Sequence, residues 1–190
     1  RAIKKAVRMP VTVKMRAGWD ATELNAPELA RRIEDAGASA VAVHGRTAAQ
    51  SYSGSSDWEF IARVAESVSI PVFGSGDCIE PEQLVDRLGR GGVAGVLVGR
   101  GALRNPWIFR QAADLAEGRS PRPITHVDRA QFLLAYIEML QLERVHEDQG
   151  FRHVAPGQTE AGSSSGPVRG HDRWVINKVR ALNSWYTKGL

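Results

Sequence analysis

Val11-Thr12-Val13-Lys14-Met15-Arg16 poses the fold question for this chain. It alternates with period two. Val11, Val13 and Met15 face one side and Thr12, Lys14 and Arg16 the other, the pattern of a β-strand. Three more short runs rich in β-branched and small residues read as strands: Ser39 to Gly45, Ile70 to Gly74 and Ala94 to Val98. Helical patterns lie between them. Leu24 to Ala36 carries Leu29, Ile33 and Ala36 on one stripe and stops at Gly37. Asp57 caps a helix with Ile61, Val64, Ala65 and Val68, and Pro81 to Leu88 carries Leu84, Val85 and Leu88. Residues 1–9 read as the last turns of a basic-faced helix halted by Pro10.

Strand and helix alternating four times imply a parallel sheet covered by helices. In an open doubly wound sheet both faces of a parallel strand are buried, and an unpaired Lys14 there is expensive. The solvent-open mouth of a barrel removes that cost. The fold expected is therefore α/β: four βα units forming the second half of a (β/α)8 TIM barrel, over residues 1–118.

Beyond Gly118 the composition changes. Ser120-Pro121-Arg122-Pro123 breaks the pattern, and from about residue 125 helices replace strands. A helix is expected over 127–148, with Leu133, Ile137 and Leu140 at helical spacing. A flexible linker is expected near 150–171, around Ser163-Ser164-Ser165-Gly166-Pro167. A further helix follows over 172–188, with Trp174, Val175, Val179, Leu182 and Trp185-Tyr186. Residues 119–190 are thus expected to be an incomplete helical domain. The chain opens at Arg1 in a helix end and stops at Leu190 within a helical pattern, which reads as an excerpt of a longer protein.

The 190 residues carry a formal net charge of +4, with acids interspersed among the bases, so the charge alone diagnoses no nucleic-acid partner. The single cysteine, Cys78, excludes an internal disulfide framework and fits a reducing, cytoplasmic setting. No apolar run approaches the roughly 18 residues of a membrane span. No Cys/His pair has metal-ligand spacing, so no metal is expected.

The chemistry-bearing residues stand at the C-terminal ends of the expected strands: Lys14 and Arg16, His44 and Arg46, Ser75-Gly76-Asp77, and Gly99-Arg100. That end of a (β/α)8 barrel holds the active site, and its last loops commonly hold a phosphate. In Val96-Leu97-Val98-Gly99-Arg100-Gly101 the glycines let backbone N–H groups approach an anion. Arg100 adds a fixed cation, and Asn105-Pro106 is expected to open the next helix, with Trp107 and Phe109 in the core. A plain strand-to-helix turn with an exposed arginine explains the same residues. Lys14 reads equally as a Schiff-base nucleophile, a cation beside an anionic cofactor or an ion-pair partner. His44 is a hydrogen-bond donor or acid, or a satisfied structural group. Asp77 accepts from a ligand hydroxyl or caps a helix. Cys78 reads as inert packing.

Val11 to Arg16, His44-Gly45-Arg46-Thr47, Gly74-Ser75-Gly76-Asp77 and Val98-Gly99-Arg100-Gly101 with Asn105-Pro106-Trp107-Ile108-Phe109 together resemble the tRNA-dihydrouridine synthases, near their bacterial B-type branch. A further echo lies in Lys178-Val179-Arg180 and Trp185-Tyr186-Thr187-Lys188-Gly189. The resemblance implies a flavin-dependent barrel followed by a helical tRNA-binding domain, which uses NADPH-reduced FMN to saturate the 5,6 double bond of particular uridines. Lys14 would then contact the flavin ring, and His44 would lie beside flavin and base. Ser75, Gly76 and Asp77 would bind the FMN tail, and Gly99 and Arg100 its phosphate. Arg16, Arg46, Lys178 and Arg180 would face the RNA. Ser75 stands where the family usually has Asn. The family's proton-donating cysteine falls in the barrel half upstream of this stretch. No residue here is therefore expected to complete catalysis, with His44 at most an assistant, and the excerpt is expected to be inactive alone. Competing readings are another FMN-dependent barrel oxidoreductase resembling dihydroorotate dehydrogenase, a Lys14 Schiff-base aldolase, and a non-catalytic RNA-binding module.

Overall fold

The structure, a computed structural model, describes residues 1–143, 145–146, 152–153 and 169–186. It divides into two compact units, Arg1–Pro121 and Arg122–Leu190. In the first, β1 (Thr12–Arg16), β2 (Ala40–His44), β3 (Val72–Ser75) and β4 (Gly95–Leu97) form one sheet in the order β1-β2-β3-β4. Every neighbouring pair is parallel. An open doubly wound sheet reverses its strand order at a switch point and covers both faces with helices. Here the order never reverses, and the two faces differ.

The register shows how. Lys14 lies beside Ala42, Ala42 beside Phe73 and Phe73 beside Gly95; one step on, Arg16, His44, Ser75 and Leu97 form the next row. Side chains along such a row share a face. Lys14 and Leu97 are exposed there, and Arg16, His44, Phe73 and Ser75 are only half-buried. The opposite face carries Val41, Val43 and Val72, all buried in one cluster with Ala26, Ala30, Trp58, Ile61, Val64, Leu84 and Ile108. Four βα units with helices on one face and a polar, open inner face are the half-barrel that the Lys14 pattern requires.

The helices follow their local chemistry. α1 (Ala2–Ala6) is short and buries no residue. α2 (Ala26–Asp35) has Pro27 in its first turn and ends before Gly37, whose φ of +88° suits glycine. Its buried stripe is Ala26 and Ala30 with Ile33 partly buried, not the expected Leu29, which is 39% exposed. Small alanines let α2 sit close to the sheet. α3 (Trp58–Glu66) starts at Asp57, whose carboxylate accepts the Phe60 N–H at 2.8 Å. α4 (Pro81–Arg90) starts where Gln83 Oε1 accepts the N–H groups of Ile79 and Glu80 at 2.7 and 3.0 Å.

After β4 the structure departs from expectation. A five-residue α5 (Arg100–Arg104) begins at Arg100 itself, and Asn105 ends it. The next helix, α6 (Ile108–Ala116), opens two residues beyond Pro106. Asn105 works through its side chain, accepting the Trp107 N–H at 3.2 Å and donating to Gln111 Oε1 at 2.6 Å. Of the aromatic start, Ile108 is the buried member, whereas Phe109 is 52% exposed.

In the second unit α7 (His126–Leu142) opens with a capping box: Thr125 Oγ1 accepts the Asp128 N–H, and Asp128 accepts the Thr125 N–H. It packs on α8 (Arg169–Tyr186), with Leu140 and Val175 buried. α7 stops at Leu142 rather than 148, because no apolar residue continues its stripe beyond Leu140. Instead β5 (Val145–His146) pairs antiparallel with β6 (Arg152–His153), so this unit is not wholly helical. α8 begins at Arg169, inside the expected linker; the rest of that linker falls largely outside the described residues, as does the Thr187-Lys188-Gly189 echo.

Candidate functional site

The C-terminal row Arg16–His44–Ser75–Leu97 brings four strand ends to one edge, and a cleft opens beside it. His44, Tyr52, Ser75, Asp77, Gly99 and Arg100 are among its lining residues. Gly76 sits at φ +131°, where a Cβ would lie 2.1 Å from Ser56 Oγ, so only glycine turns the chain here. Asp77 follows at φ +51°, a left-handed conformation that aspartate tolerates better than most residues. Trp58 Nε1 donates to Gly76 O at 2.9 Å and fixes the turn from below.

That turn aims the Asp77 carboxylate at Arg46. Nη1 and Nη2 of Arg46 donate to Oδ1 and Oδ2 of Asp77, each at 2.8 Å, a bidentate fork. Oδ2 also accepts the Ser56 N–H at 2.7 Å, and Arg100 Nη2 approaches Oδ1 at 3.4 Å. Partial burial alone would raise the Asp77 pKa. The hydrogen bonds from Arg46 and Ser56 and the charges of Arg46 and Arg100 outweigh it and hold the carboxyl below its ordinary range.

His44 accepts the Arg46 N–H at Nδ1, 3.2 Å away, which assigns its own proton to Nε2. Burial is the largest influence on its pKa, followed by the charges of Arg16, Lys14 and Arg46; together they push it below the usual histidine value against the pull of Asp77. The imidazole is therefore a neutral Nε2–H donor at neutral pH. Cys78 is buried, with Sγ 3.5 Å from Gly76 O, and its thiol is pushed up to about 11 by burial. A buried thiol held protonated in that way is a weak nucleophile and fits a packing role. No group of three or more His, Cys, Asp or Glu side chains able to hold a metal occurs among the described residues.

Two residues expected to face RNA, Arg16 and Arg46, make hydrogen bonds within the protein. Arg46 is 2% exposed, and besides Asp77 it donates to Ser53 O at 3.0 Å and Gly54 O at 2.5 Å. Arg16 is half-buried and donates through Nη1 to Thr47 O at 2.8 Å and Ser51 O at 3.1 Å. Both guanidinium groups fasten the loop between β2 and α3; Arg46 is buried by it, while Arg16 stays half-buried. Lys14 shares the inner sheet face but stands one row below the cleft and does not line it. Lys178 and Arg180 lie exposed on α8 of the second unit, with the Lys178 ammonium 5.6 Å from the Trp174 ring centroid.

Sequence reasoning missed Tyr52 and Ser56. The Arg100 guanidinium carbon lies 5.0 Å from the Tyr52 ring centroid. Ser56 is wedged against Gly45 and Gly76, each of which would clash with it if it carried a Cβ. The pair of glycines was the available clue to a close approach; its partner was not. Gly101 is likewise required, since a Cβ there would lie 2.2 Å from Cys78 O, whereas a Cβ at Gly99 would meet nothing within 4 Å. The space at Gly99, beside a half-exposed Arg100, fits an anionic group.

A family model described as dihydrouridine synthase (Dus) matches residues 1–179. The probable tRNA-dihydrouridine synthase of Rickettsia conorii is 48% identical over 110 residues, covering 58% of this chain and 33% of that protein. The tRNA-dihydrouridine synthase B of Xanthomonas axonopodis pv. citri is 39% identical over 140 residues, covering 73% and 42%. The chain thus spans well under half the length of these relatives. Among solved structures, nitroalkane oxidase from Streptomyces ansochromogenes gives a TM-score of 0.34 at 24% identity, over 52% of this chain and 35% of that one. At that score the fold rests on the strand order alone.

Proposed function

The chain belongs to the dihydrouridine synthase family, and on that premise we propose that the protein carrying it reduces uridines in tRNA to 5,6-dihydrouridine with a bound FMN. The observation that supports this reading is the cleft itself: a neutral imidazole N–H, a loop-anchored carboxylate and a half-exposed guanidinium beside an open glycine, all at the C-terminal edge of a parallel sheet. That set matches the polar needs of a flavin mononucleotide.

FMN, reduced beforehand by NADPH, supplies the hydride when bound. The chain's own residues bind and orient. Gly99 and Arg100 take the phosphate, Arg100 through N–H groups not spent on Asp77. Ser75 and Gly76, which line the cleft, would bind the FMN tail; Ser75 offers a hydroxyl where the family usually offers an amide. Asp77 acts chiefly by holding Arg46 and Arg100. His44 presents Nε2–H to flavin or base as a neutral donor. Lys14, one row below the cleft on the same sheet face, would supply a cation on the flavin-ring side of the site. Reduction of the 5,6 double bond adds a hydride to one carbon and a proton to the other. Cys78, buried and bonded to Gly76 O, is not the source of that proton.

Lys178 and Arg180 on α8 are proposed to meet tRNA phosphates, and the target uridine leaves its stack to reach the flavin. With tRNA as the substrate, a cytoplasmic location is part of the same proposal. The aldolase reading is the weaker one, since a Schiff-base lysine is activated by desolvation and Lys14 is exposed.

The test is an absorption spectrum of the purified full-length protein with identification of the released cofactor, then dihydrouridine analysis of tRNA from cells lacking and regaining it. Released FMN and restored dihydrouridine are expected. A protein that is colourless and takes up no added FMN ends the flavin assignment of His44, Asp77 and Arg100.

A further inference from the structure

An arginine on a five-residue helix with 53% of its side chain exposed has little of its own to hold it, and fixing so long a side chain costs rotamer freedom. Arg100 nevertheless has two contacts. The contact with Asp77, at 3.4 Å, is the long one, because that carboxylate is already taken by three shorter bonds from Arg46 and the Ser56 N–H. The other is the face of Tyr52, with 5.0 Å between guanidinium carbon and ring centroid. Tyr52 is 66% exposed, so its own packing does not keep it in place.

Its backbone does. Arg16 holds Ser51 O and Arg46 holds Ser53 O, the carbonyl groups immediately before and after Tyr52. Thr47 and Gln50 brace the same turn reciprocally: Gln50 Oε1 accepts the Thr47 N–H and Thr47 Oγ1 the Gln50 N–H. Ser51 takes φ +51°, and Ser53 Oγ closes the turn onto Gln50 O at 2.8 Å. Two guanidinium groups from two strand ends thus bracket one exposed tyrosine, whose ring faces a third guanidinium across the cleft.

We propose that Tyr52 is the positioning residue of the anion site: its ring, with the Asp77 carboxylate, presets the Arg100 guanidinium so that a phosphate monoester meets an already oriented cation. On this view Arg16 and Arg46 act on the ligand indirectly, by fixing the backbone on either side of Tyr52. The proposal rests on reading Arg100 as the phosphate-holding residue, and the two can fail separately.

The experiment compares binding of FMN and of riboflavin, which lacks the phosphate, to flavin-free full-length protein by fluorescence titration. Arg100→Ala is expected to weaken FMN at least tenfold and leave riboflavin unchanged. Tyr52→Leu is expected to lower the FMN-to-riboflavin affinity ratio about two- to fivefold, the range of an exposed cation–π contact. Tyr52→Phe keeps the ratio, and Tyr52→Leu adds nothing in the Arg100→Ala background. Tyr52→Gln, which also lacks the ring, gives the same reading should the leucine variant fold poorly. An unchanged ratio in Tyr52→Leu beside a lowered one in Arg100→Ala overturns the role of Tyr52 alone. Equal weakening of both flavins in Tyr52→Leu makes Tyr52 a wall of the cleft and also overturns it. An unchanged ratio in Arg100→Ala removes the phosphate reading and the proposal with it.

Discussion

The loop between β2 and α3 and the turn between β4 and α5 meet over the same cleft, yet one is tied down residue by residue and the other is left open. In the first, Arg16 and Arg46 hold four carbonyl groups, Asp77 takes the Ser56 N–H, and Ser56 fills the space that Gly45 and Gly76 leave. In the second, Gly99 has nothing within 4 Å of the place a Cβ would occupy, and Arg100 makes one long ion pair and one ring contact. A site that must be ready before its ligand arrives has its rigid half built from the protein's own bonds. On the proposed function its open half is the one a ligand would complete, so substitutions in the two halves should separate stability from binding.

The largest expected loss of stability is Arg46→Ala. It strands the partly buried Asp77 carboxylate together with the Ser53 and Gly54 carbonyl groups. Breaking a buried pair from one side costs about 3–5 kcal/mol, and the lower end applies because Asp77 retains Ser56, Arg100 and some solvent. Denaturant unfolding of the full-length protein measures it; a loss under about 1 kcal/mol would mean the fork is dispensable. Next comes Gly76→Ala, which introduces a Cβ 2.1 Å from Ser56 Oγ at φ +131°. About 2–3 kcal/mol is expected, and Ser56→Gly in the same chain should recover the part due to the clash while leaving the part due to φ.

A smaller effect separates the halves by pH. Because the folded pKa of His44 lies below its unfolded value, the unfolded chain binds the proton first as pH falls through about 6.5. Stability contributed by neutral His44 is thus fully present above that pH and declines below it, toward the folded pKa. The His44 imidazole resonances of the native protein should titrate with a midpoint below 6.5, and His44→Gln should flatten the slope of stability below about pH 6.5. A midpoint above 6.5 would mean that Asp77 outweighs burial and the three neighbouring cations.

The same contrast explains what was legible from sequence. Period-two and helical spacing located the four strands of the parallel sheet and the helices between them, since those patterns are local. Lys14 on a strand pointed to a one-sided sheet, and the strand order agrees. His44, Ser75, Asp77, Gly99 and Arg100 do line one cleft, because parallel strands deliver their ends to one edge. For Arg16 and Arg46 the resemblance implied a place facing RNA, whereas the hydrogen bonds they make to the loop between β2 and α3 were not legible. A charged residue at a strand end looks exposed until its partners are known, and Asp77 is 31 residues from Arg46. Tyr52 and Ser56 carried no periodicity at all; their roles exist only in contacts between loops. Leu29 was placed on the core-facing stripe by its helical spacing with Ile33 and Ala36, whereas the close approach of α2 to the sheet selects Ala26 and Ala30.

Gly99→Ala is the smallest change in stability and the sharpest test of the open half. Its φ of −98° lies outside the left-handed region, and the added methyl meets no protein atom, so unfolding free energy should move by no more than about 1 kcal/mol. If that space is reserved for a phosphate, FMN affinity should nevertheless fall several-fold while riboflavin affinity holds, because the methyl stands where the anion approaches the backbone. Gly76→Ala predicts the reverse order, a large loss of stability with any effect on flavin following from it. Should Gly99→Ala bind FMN as tightly as the unaltered protein, the open space is not part of the anion site. The phosphate would then be held by Arg100 without the backbone, and the turn's openness would reflect only the absence of a neighbour.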